Sequence, residues 1–353
     1  MEKIKWGIIG PGSIANNFAD GLSSSYSGQL VGIASKNDER RKSFADKYNV
    51  HEDFRFETYD DIINSEHIDA IYISTPHTLH AEWTIKAAGK GKHVLCEKPG
   101  AVNYKEGKKV IDAVDEAGVF YMEGFMYRCH PQIPKLLEII KNKTIGDIIS
   151  IESSFGYDTG KTIPDSRIFN KELAGGGCIL DLGCHCIEIA RSYIGKDIKP
   201  IEVMCWGDTQ VKPIDAEDHA IGLVKYENGA IGQFEVSWTF RGGMDLRDEV
   251  MGTEGTIWVN SFLRTGFEMF TTGKGSDYVA EKAESDSGWL FPVGDELNEL
   301  GYNHMFADMF DSLEENKSPR ETFYDGYVVN AIIDASYKSI KSKKWEPIKL
   351  DLW

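Results

Sequence analysis

The sequence lacks the features that mark several classes of protein. It has no run of lysine or arginine long enough to form a basic patch, and its formal net charge is −17, so we expect it to repel nucleic acid and anionic membranes. No stretch reaches the roughly 18–20 apolar residues that a membrane span needs. Residues Met1 to Trp6 lack the charged and then apolar order of a signal peptide. These absences predict a cytoplasmic protein that binds neither nucleic acid nor membrane.

Cysteine is scarce, and no two cysteines form a CxxC pair. The six cysteines are scattered along the chain, which favours buried free thiols in a reducing compartment. Cys184, His185 and Cys186 stand together and could suggest a metal site. Neighbours at i and i+2 of a helix point apart, however, so we expect no bound metal.

What is present is an ordinary globular composition, 41% hydrophobic over 353 residues, which is enough to bury the cores of two domains. The first 123 residues alternate short apolar runs with amphipathic segments. They predict strands at residues 4–9, 29–35, 68–74, 93–97 and 119–122, and helices after Gly12 and at residues 38–48, 59–64, 79–88 and 104–117. This alternation predicts that residues 1–123 form a Rossmann domain, a doubly wound parallel sheet whose ligands bind at the carboxyl ends of the strands.

From residue 124 onward the rhythm changes to strands in close succession. Strands are predicted at residues 147–157, 201–206, 220–226, 231–238, 248–252 and 256–260, and helices at residues 132–141, 180–194, 302–315 and 325–342. Asn228-Gly229 is a strong hairpin signal, and Gly255 marks another tight turn. We therefore expect residues 124–353 to form an α+β domain with a large, open, mostly antiparallel sheet.

A glycine-rich turn follows the first strand. Gly10 to Ala15 reads G-x-G-x-x-A: Gly10 permits the tight turn, Gly12 lets the backbone approach a pyrophosphate, and Ala15 allows the helix to pack closely on the strand. The helix that begins at Ser13 and Ile14 then offers N–H groups and its positive dipole end to phosphate. The pattern predicts a nicotinamide dinucleotide site, and the alternative is a purely structural turn.

The end of the second strand bears on the choice between NAD and NADP. An acidic residue there would bind both ribose hydroxyls of NAD, but the sequence reads Ser35-Lys36-Asn37, with Arg40 and Arg41 just beyond. A hydroxyl and cationic side chains suit a 2′-phosphate, so NADP is favoured. Asp38 keeps NAD possible, and the two arginines could instead form a solvated helix face.

Two polar stretches follow later strands on the ligand side of the sheet. The first contains Ser74, Thr75, Pro76, His77 and His80, and the second is Glu97-Lys98-Pro99. We expect both to contact the cofactor. A proline makes the residue before it extended and ends the strand, which should hold Lys98 at the carboxyl edge where the nicotinamide lies. The alternative is a surface lysine beside a turn.

Together, the G-x-G-x-x-A start, the T-P-x-x-x-H loop and the E-K-P at this spacing resemble the Gfo/Idh/MocA family of oxidoreductases. The resemblance implies an NAD(P)-binding Rossmann domain, an α/β domain with a large open sheet, a sugar or polyol substrate, and homodimers or homotetramers. It matches the family's D-x-x-x-H to Asp181 and His185. It also implies that Lys98 and His185 assist proton transfer at the substrate hydroxyl, and that Asp181 positions the substrate.

The residues agree with these roles. Asp181, His185 and Glu188 recur at i, i+4 and i+7, so they share one helix face, although such a stripe could also be merely exposed to solvent. His185 can act as a general base at neutral pH. Lys98 can stabilise the alkoxide-like oxygen or, if desolvated, act as the base itself. The sequence leaves open which of the two takes the proton.

Further candidates have simpler structural alternatives. Arg128 could reach the cofactor and Tyr127 could line the substrate pocket, or both could be structural at the domain junction. Tyr157 and Arg167 are substrate candidates; a carbohydrate site could also draw on Trp238, Arg241 and His304. Aromatic residues of the second sheet, including Trp238, Trp258 and Phe262, predict an exposed apolar face and hence a homo-oligomer.

The leading hypothesis is an NAD(P)-dependent dehydrogenase or reductase that moves a hydride on a sugar or polyol. Two alternatives keep the same fold. One is a glycosidase that oxidises its sugar transiently, keeps NAD bound and shows no net redox change. The other is a sensor that binds NAD(P) without catalysis, but such a protein would have little need for Lys98, Asp181 and His185 together.

Overall fold

The computed structural model describes residues 3–23, 27–130, 132–159, 169–241, 243–261, 269–271, 288–290 and 301–353. Their helices and strands form two compact units. The first unit comprises residues 1–129 and 300–327, and the second comprises residues 130–299 and 328–353.

The first unit is built on six parallel strands in the order β3-β2-β1-β4-β5-β6. This confirms the predicted parallel, doubly wound sheet. β1 and β4 are buried almost throughout, as expected of a sheet covered on both faces. Its strands are β1 (Ile4–Ile9), β2 (Gly28–Ala34), β3 (Arg55–Phe56), β4 (Ala70–Ile73), β5 (His93–Cys96) and β6 (Tyr121–Glu123).

The helices between these strands begin and end close to the predicted positions. α5 shows why: the Asn103 side chain accepts a hydrogen bond from the Glu106 amide at its start, and Gly118 adopts a left-handed φ of 64° at its end. The helices are α1 (Ser13–Ser23), α2 (Asp38–Lys47), α3 (Tyr59–Asn64), α4 (His80–Ala88) and α5 (Tyr104–Ala117).

The second unit contains a seven-stranded sheet in the order β12-β11-β7-β10-β9-β8-β15. β7 and β10 are parallel, whereas the other neighbours are antiparallel, which confirms a mostly antiparallel sheet. The strands are β7 (Ile148–Gly156), β8 (Pro200–Asp208), β9 (His219–Tyr226), β10 (Ile231–Ser237), β11 (Asp245–Gly252), β12 (Thr256–Asn260) and β15 (Glu346–Pro347), while β13 (Met269–Thr271) and β14 (Gly288–Leu290) pair separately.

The remaining helices are α6 (Ile133–Lys141), α7 (Lys171–Ala174), α8 (Cys184–Ile194), α9 (Tyr302–Glu315) and α10 (Phe323–Ser342). Among the described residues, the segment Lys171–Ile194 has the length and composition of a membrane span, which the sequence had not suggested. However, 89% of its most apolar window is buried inside the structure. The segment therefore lies in the core of the second unit, where its longest helix, α8, packs against β7 and β10.

The expected boundary between residues 123 and 124 differs from the units of the structure in two respects. The first unit continues through Cys129, and residues 300–327 return to it from the far end of the chain. The return has a packing cause, because α9 lies against the start of the chain. Phe306 packs edge-on against Phe18 of α1, and Phe310 packs edge-on against Trp6 of β1.

Candidate functional site

The glycine turn after β1 forms an open cradle at the carboxyl edge of the first sheet. Gly10 has a φ of +84°, and a Cβ there would lie 2.9 Å from the carbonyl oxygen of Ser74, so only glycine fits. The Ser74 hydroxyl donates to the Gly10 carbonyl over 2.9 Å, which joins the ends of β1 and β4. A Cβ on Gly12 would meet nothing closer than 3.8 Å. α1 then starts at the exposed Ser13 with no acidic residue in its first turn, a surface that fits a pyrophosphate.

The end of β2 separates the predicted cationic residues into two groups. Arg41 is buried and donates to the Ser35 carbonyl over 2.8 Å and to the Asp38 carboxylate over 2.6 Å, so it braces the loop from within. Lys36 and Arg40 are exposed. Lys42 lies 2.9 Å from Asp38, and its hydrogen bond lowers the pKa of that carboxyl group. Asp38, the acid that could favour NAD, is therefore held in ion pairs with Arg41 and Lys42.

His80 ties the two polar stretches together. Thr75, Pro76 and His77 follow β4, and the buried His80 ring comes within 2.8 Å of the Thr75 carbonyl through Nε2 and of the Pro99 carbonyl through Nδ1. Burial lowers the pKa of His80 despite these two carbonyl partners. Because both ring nitrogens contact backbone oxygens, His80 holds the loops in place rather than pointing a nitrogen at a ligand.

The E-K-P stretch follows β5, and its three residues differ in environment. Glu97 is buried and accepts a hydrogen bond from the Tyr72 hydroxyl over 2.5 Å, so its side chain turns into the sheet. Burial raises the pKa of Glu97, although Tyr72 and Lys98 act in the opposite direction. The peptide bond between Lys98 and Pro99 is cis. Lys98 is half-buried. Its neighbours on both sides are held in place, because Tyr72 binds Glu97 and His80 contacts the Pro99 carbonyl.

The junction candidates Tyr127 and Arg128 lie on a short 3₁₀ turn, Met126–Cys129, directly after β6. Both are buried. Arg128 forms an ion pair with the buried Glu321 over 2.9 Å between Nε and Oε1. This contact lies inside the first unit and ties the turn to the returning segment, so it gives Arg128 a structural task. His304 lies on α9 and is exposed.

Asp181 and His185 lie in the interior of the second unit. A Trp238 indole N–H donates to Asp181 Oδ2 over 3.1 Å, and the His185 ring packs 5.8 Å from the ring of Phe155. Asp181, His185 and Glu188 are all at least 92% buried. The alternative of a solvent-exposed stripe is therefore wrong for these residues.

The helix that carries them is not regular at its start. A π-helical turn, Ile179–Gly183, precedes α8, where we expected an ordinary helix from residue 180. Asp181 lies on this turn, and its main-chain N–H donates to the Gly177 carbonyl. π-turns often occur at functional sites because they widen a helix locally.

Tyr157 lies directly after β7, in the same unit. Burial raises its pKa well above the usual range, and the nearby Asp181 carboxylate adds to the shift. The next residue, Asp158, is buried in an ion pair with Lys212. Asp218 fixes the loop that supplies Lys212, because its buried carboxylate accepts three main-chain N–H groups, those of Gln210, Val211 and Lys212.

Sequence reasoning missed the roles of Asp158, Lys212 and Asp218. No local pattern signals them, because their contacts join the end of β7 to segments far along the chain: Asp158 pairs with Lys212, and its main chain forms an antiparallel bridge with Thr239. Arg241 is exposed, with its guanidinium 4.0 Å from Asp158. The substrate candidate Arg167 lies outside the described residues.

Comparisons with known proteins match both halves of the chain. Residues 4–125 match an oxidoreductase family with an NAD-binding Rossmann fold, and residues 133–258 match the GFO/IDH/MocA C-terminal domain.

Individual relatives span most of the chain. A trans-1,2-dihydrobenzene-1,2-diol dehydrogenase of Xenopus laevis is 30% identical over 272 residues, covering 76% of this chain and 79% of the relative. A D-xylose 1-dehydrogenase (NADP(+)) of Haloferax volcanii is 30% identical over 233 residues, 66% of this chain and 68% of the relative. Among solved structures, GenD2 from gentamicin A biosynthesis, in complex with NAD, is 25% identical with a TM-score of 0.90, covering 99% of this chain and 97% of that one.

Proposed function

Because the chain belongs to the Gfo/Idh/MocA family of oxidoreductases, we propose that it is an NADP-dependent dehydrogenase, or in reverse a reductase, acting on a sugar or polyol. In this reaction a hydride moves between the nicotinamide and a hydroxyl-bearing carbon. One observation carries the proposal: the glycine cradle after β1 and Lys98 after β5 lie at the same carboxyl edge of one parallel sheet. Phosphate-binding groups and a cation at that edge suit a dinucleotide-dependent reaction at a developing oxyanion.

The residues of the first unit fit a bound dinucleotide. Gly10 permits the tight turn, Gly12 leaves room for a pyrophosphate, and the main-chain N–H groups at Ser13 and Ile14 would hold it. Lys36 and Arg40 are exposed beside Ser35, where a 2′-phosphate would be recognised. The cofactor supplies the hydride acceptor or donor when it is bound.

Side chains of this protein transfer the hydroxyl proton and stabilise the charge that develops during the reaction. We assign Lys98 the stabilisation of negative charge on the substrate oxygen, and His185 the transfer of the hydroxyl proton. Asp181 orients the substrate and the histidine. The hydrogen bond from Trp238 supports that task, since it fixes one carboxylate oxygen of Asp181.

A sugar or polyol is the substrate class that the side chains of the second unit favour. Asp181 and Tyr157 are buried polar groups near each other, and Asp181 accepts a hydrogen bond from the indole of Trp238. Polar groups beside aromatic rings suit the hydroxyls and the C–H faces of a carbohydrate. The names of the relatives, a diol dehydrogenase and a xylose dehydrogenase, agree with this class.

We also propose that the enzyme is a homodimer or homotetramer, joined through the open face of the seven-stranded sheet. Large apolar side chains are exposed on four of its strands: Trp206, Ile221, Met251 and Trp258. Trp258 is 74% exposed, and an apolar side chain so exposed to water favours association with a second copy of the chain, which would bury it. The expectation for Trp238 was wrong, because it is fully buried, and Phe262 lies outside the described residues.

The proposal is tested by following absorbance of the reduced nicotinamide with NADP or NAD and a panel of aldoses, polyols, cyclic diols and glycosides. We expect turnover with at least one sugar or polyol, and a loss of about 100-fold or more in Lys98→Ala. Lys105→Ala, an exposed lysine on α5, serves as the control and should behave as wild type. Tight cofactor binding without turnover on any substrate would contradict a dehydrogenase. Glycoside cleavage without net reduction would point to the redox-neutral glycosidase instead.

A further inference from the structure

Three consecutive glycines precede the turn that carries Asp181, and each has a different steric reason. Gly175 ends α7 with a left-handed φ of +83°. A Cβ on Gly176 would lie 2.3 Å from the Tyr337 hydroxyl. A Cβ on Gly177 would lie 2.3 Å from the carbonyl oxygen of Glu217. The glycine run therefore lets two other segments of the second unit approach the start of the π-turn closely.

Those two segments bind three successive main-chain N–H groups. The Gly177 N–H donates to the Tyr337 hydroxyl over 3.3 Å, and the Cys178 N–H donates to the Glu217 carbonyl over 3.0 Å. The Ile179 N–H donates to the Glu217 carboxylate over 3.1 Å. The first N–H groups of a helix have no partner within it, so Glu217 and Tyr337 act as its cap.

The two capping side chains also bind each other. The Tyr337 hydroxyl donates to the same carboxylate oxygen of Glu217 over 2.9 Å. Glu217 comes from the loop before β9, and Tyr337 from α10. The start of the π-turn is thus attached to two distant segments of the chain, only two residues before Asp181.

We propose that Glu217 and Tyr337 are positioning residues for Asp181 and His185. Neither needs to touch the substrate: they set the height and rotation of the π-turn, and through it the direction of the two functional side chains. This inference rests on the proposed function, because it gives Asp181 and His185 their roles. A catalytic group displaced by about 1 Å can lose two orders of magnitude in rate, so an anchored turn matters for catalysis.

The test compares variants of the full-length enzyme. Tyr337→Phe removes the hydroxyl, Glu217→Ala removes the carboxylate, and Glu217→Gln keeps an oxygen that can accept from both the Ile179 N–H and the Tyr337 hydroxyl. Tyr193→Phe is the matched control, because it removes another buried tyrosine hydroxyl, which contacts Asp248 from the far end of α8. We measure kcat, the KM for NADP, thermal stability, and the His185 ring resonance by NMR.

We expect Tyr337→Phe and Glu217→Ala to lower kcat about tenfold with the KM for NADP unchanged, and Glu217→Gln to recover most of the loss. Tyr193→Phe should lose similar stability but keep its kcat. An unchanged kcat in the first two variants, or an equal loss in Tyr193→Phe, would overturn the inference.

The NMR measurement separates this inference from the proposed function. If the wild-type protein oxidises nothing on the panel, the proposed function fails. The NMR signal of the His185 ring then tests by itself whether Glu217 and Tyr337 position this side chain. Displacement of the His185 signal in Tyr337→Phe and Glu217→Ala, but not in Tyr193→Phe, supports the positioning role. The same signal in all variants rejects it.

Discussion

The indole N–H of Trp238 donates to Asp181 Oδ2 over 3.1 Å, and both side chains are buried. The main chain of Trp238 is itself fixed on both sides, because its N–H donates to the Asp218 carbonyl and its carbonyl accepts from the Thr159 N–H. An indole N–H does not titrate, so it orients the carboxylate without competing for a proton. Asp181 therefore has a fixed direction set by the end of β10.

Trp238→Phe tests this relationship. The change keeps an aromatic ring but removes the donor, which leaves one buried oxygen of Asp181 without that hydrogen bond. We expect kcat to fall about tenfold, because the carboxylate gains freedom to turn, while the KM for NADP stays constant. Steady-state kinetics measure both values. Trp345→Phe, at an exposed tryptophan just before β15, is the control, and an equal loss of kcat there would show a nonspecific effect.

Gly10→Ala tests the phosphate cradle. The new Cβ would clash with the Ser74 carbonyl at 2.9 Å, so the turn must shift, and its N–H groups would no longer point at the pyrophosphate. We expect the Kd for NADP to rise at least about tenfold, measured by fluorescence titration. Gly91→Ala is the matched control, since Gly91 also has a positive φ, of +70°, but a Cβ there meets nothing within 4 Å. Equal cofactor affinity in Gly10→Ala and wild type would contradict the cradle.

Lys36→Ala combined with Arg40→Ala tests the choice of cofactor. If these exposed cations bind a 2′-phosphate, their removal should raise the KM for NADP by roughly tenfold or more and leave the KM for NAD unchanged. Kinetics with both cofactors give the ratio. Lys105→Ala again controls for surface charge. Equal changes with the two cofactors would mean that the enzyme does not read the 2′-phosphate at this loop.

Asp248→Asn tests the buried carboxyl group under α8. Burial raises the pKa of Asp248 to about 6, although hydrogen bonds from Ser153 and Tyr193 partly oppose it. The folded state therefore holds this proton more tightly than the unfolded state, whose pKa is near 3.8. The penalty of charging the group grows as pH rises from about 4 to 6, reaching roughly 3 kcal/mol above pH 7.

The amide of Asp248→Asn carries no charge at any pH. The variant should therefore be more stable than wild type at pH 7.5, with a higher free energy of unfolding. We expect this advantage to shrink by about half at pH 5, in urea denaturation at both pH values. Asp245→Asn, on the same strand but paired with Arg247, provides the comparison. A variant that is less stable than wild type at pH 7.5 would show that Asp248 is stabilised by its surroundings rather than penalised.

The sequence allowed most of the fold to be predicted, because local signals are strong where strands are fully buried and helices are capped. β1, α5, β12 and α9 begin and end at the predicted residues. Contacts between segments that lie far apart in the chain were harder to predict from the sequence. The parallel contact of β7 with β10, and the return of residues 300–327 to the first unit, depend on contacts between segments far apart in the chain.

The candidate site shows the same division. The residue types that carry the chemistry, such as Lys98 and His185, were recognisable from motifs. The direction of a side chain was not: Glu97 turns towards Tyr72, His80 bridges two carbonyls, and Arg128 pairs with Glu321. These partners lie on other helices, strands and loops, so no local sequence pattern predicts them.

The most direct test of hydride transfer follows the hydrogen itself. The sugar or polyol that gives the fastest turnover is prepared with deuterium on the reacting carbon, and the reduced cofactor is analysed by mass spectrometry. Direct transfer predicts one deuterium in the reduced nicotinamide, a slower rate than with the unlabelled substrate, and about 100-fold slower formation of the labelled cofactor with Lys98→Ala. Reduced cofactor without deuterium, or oxidation of the substrate without any reduced cofactor, would contradict a hydride-transferring dehydrogenase.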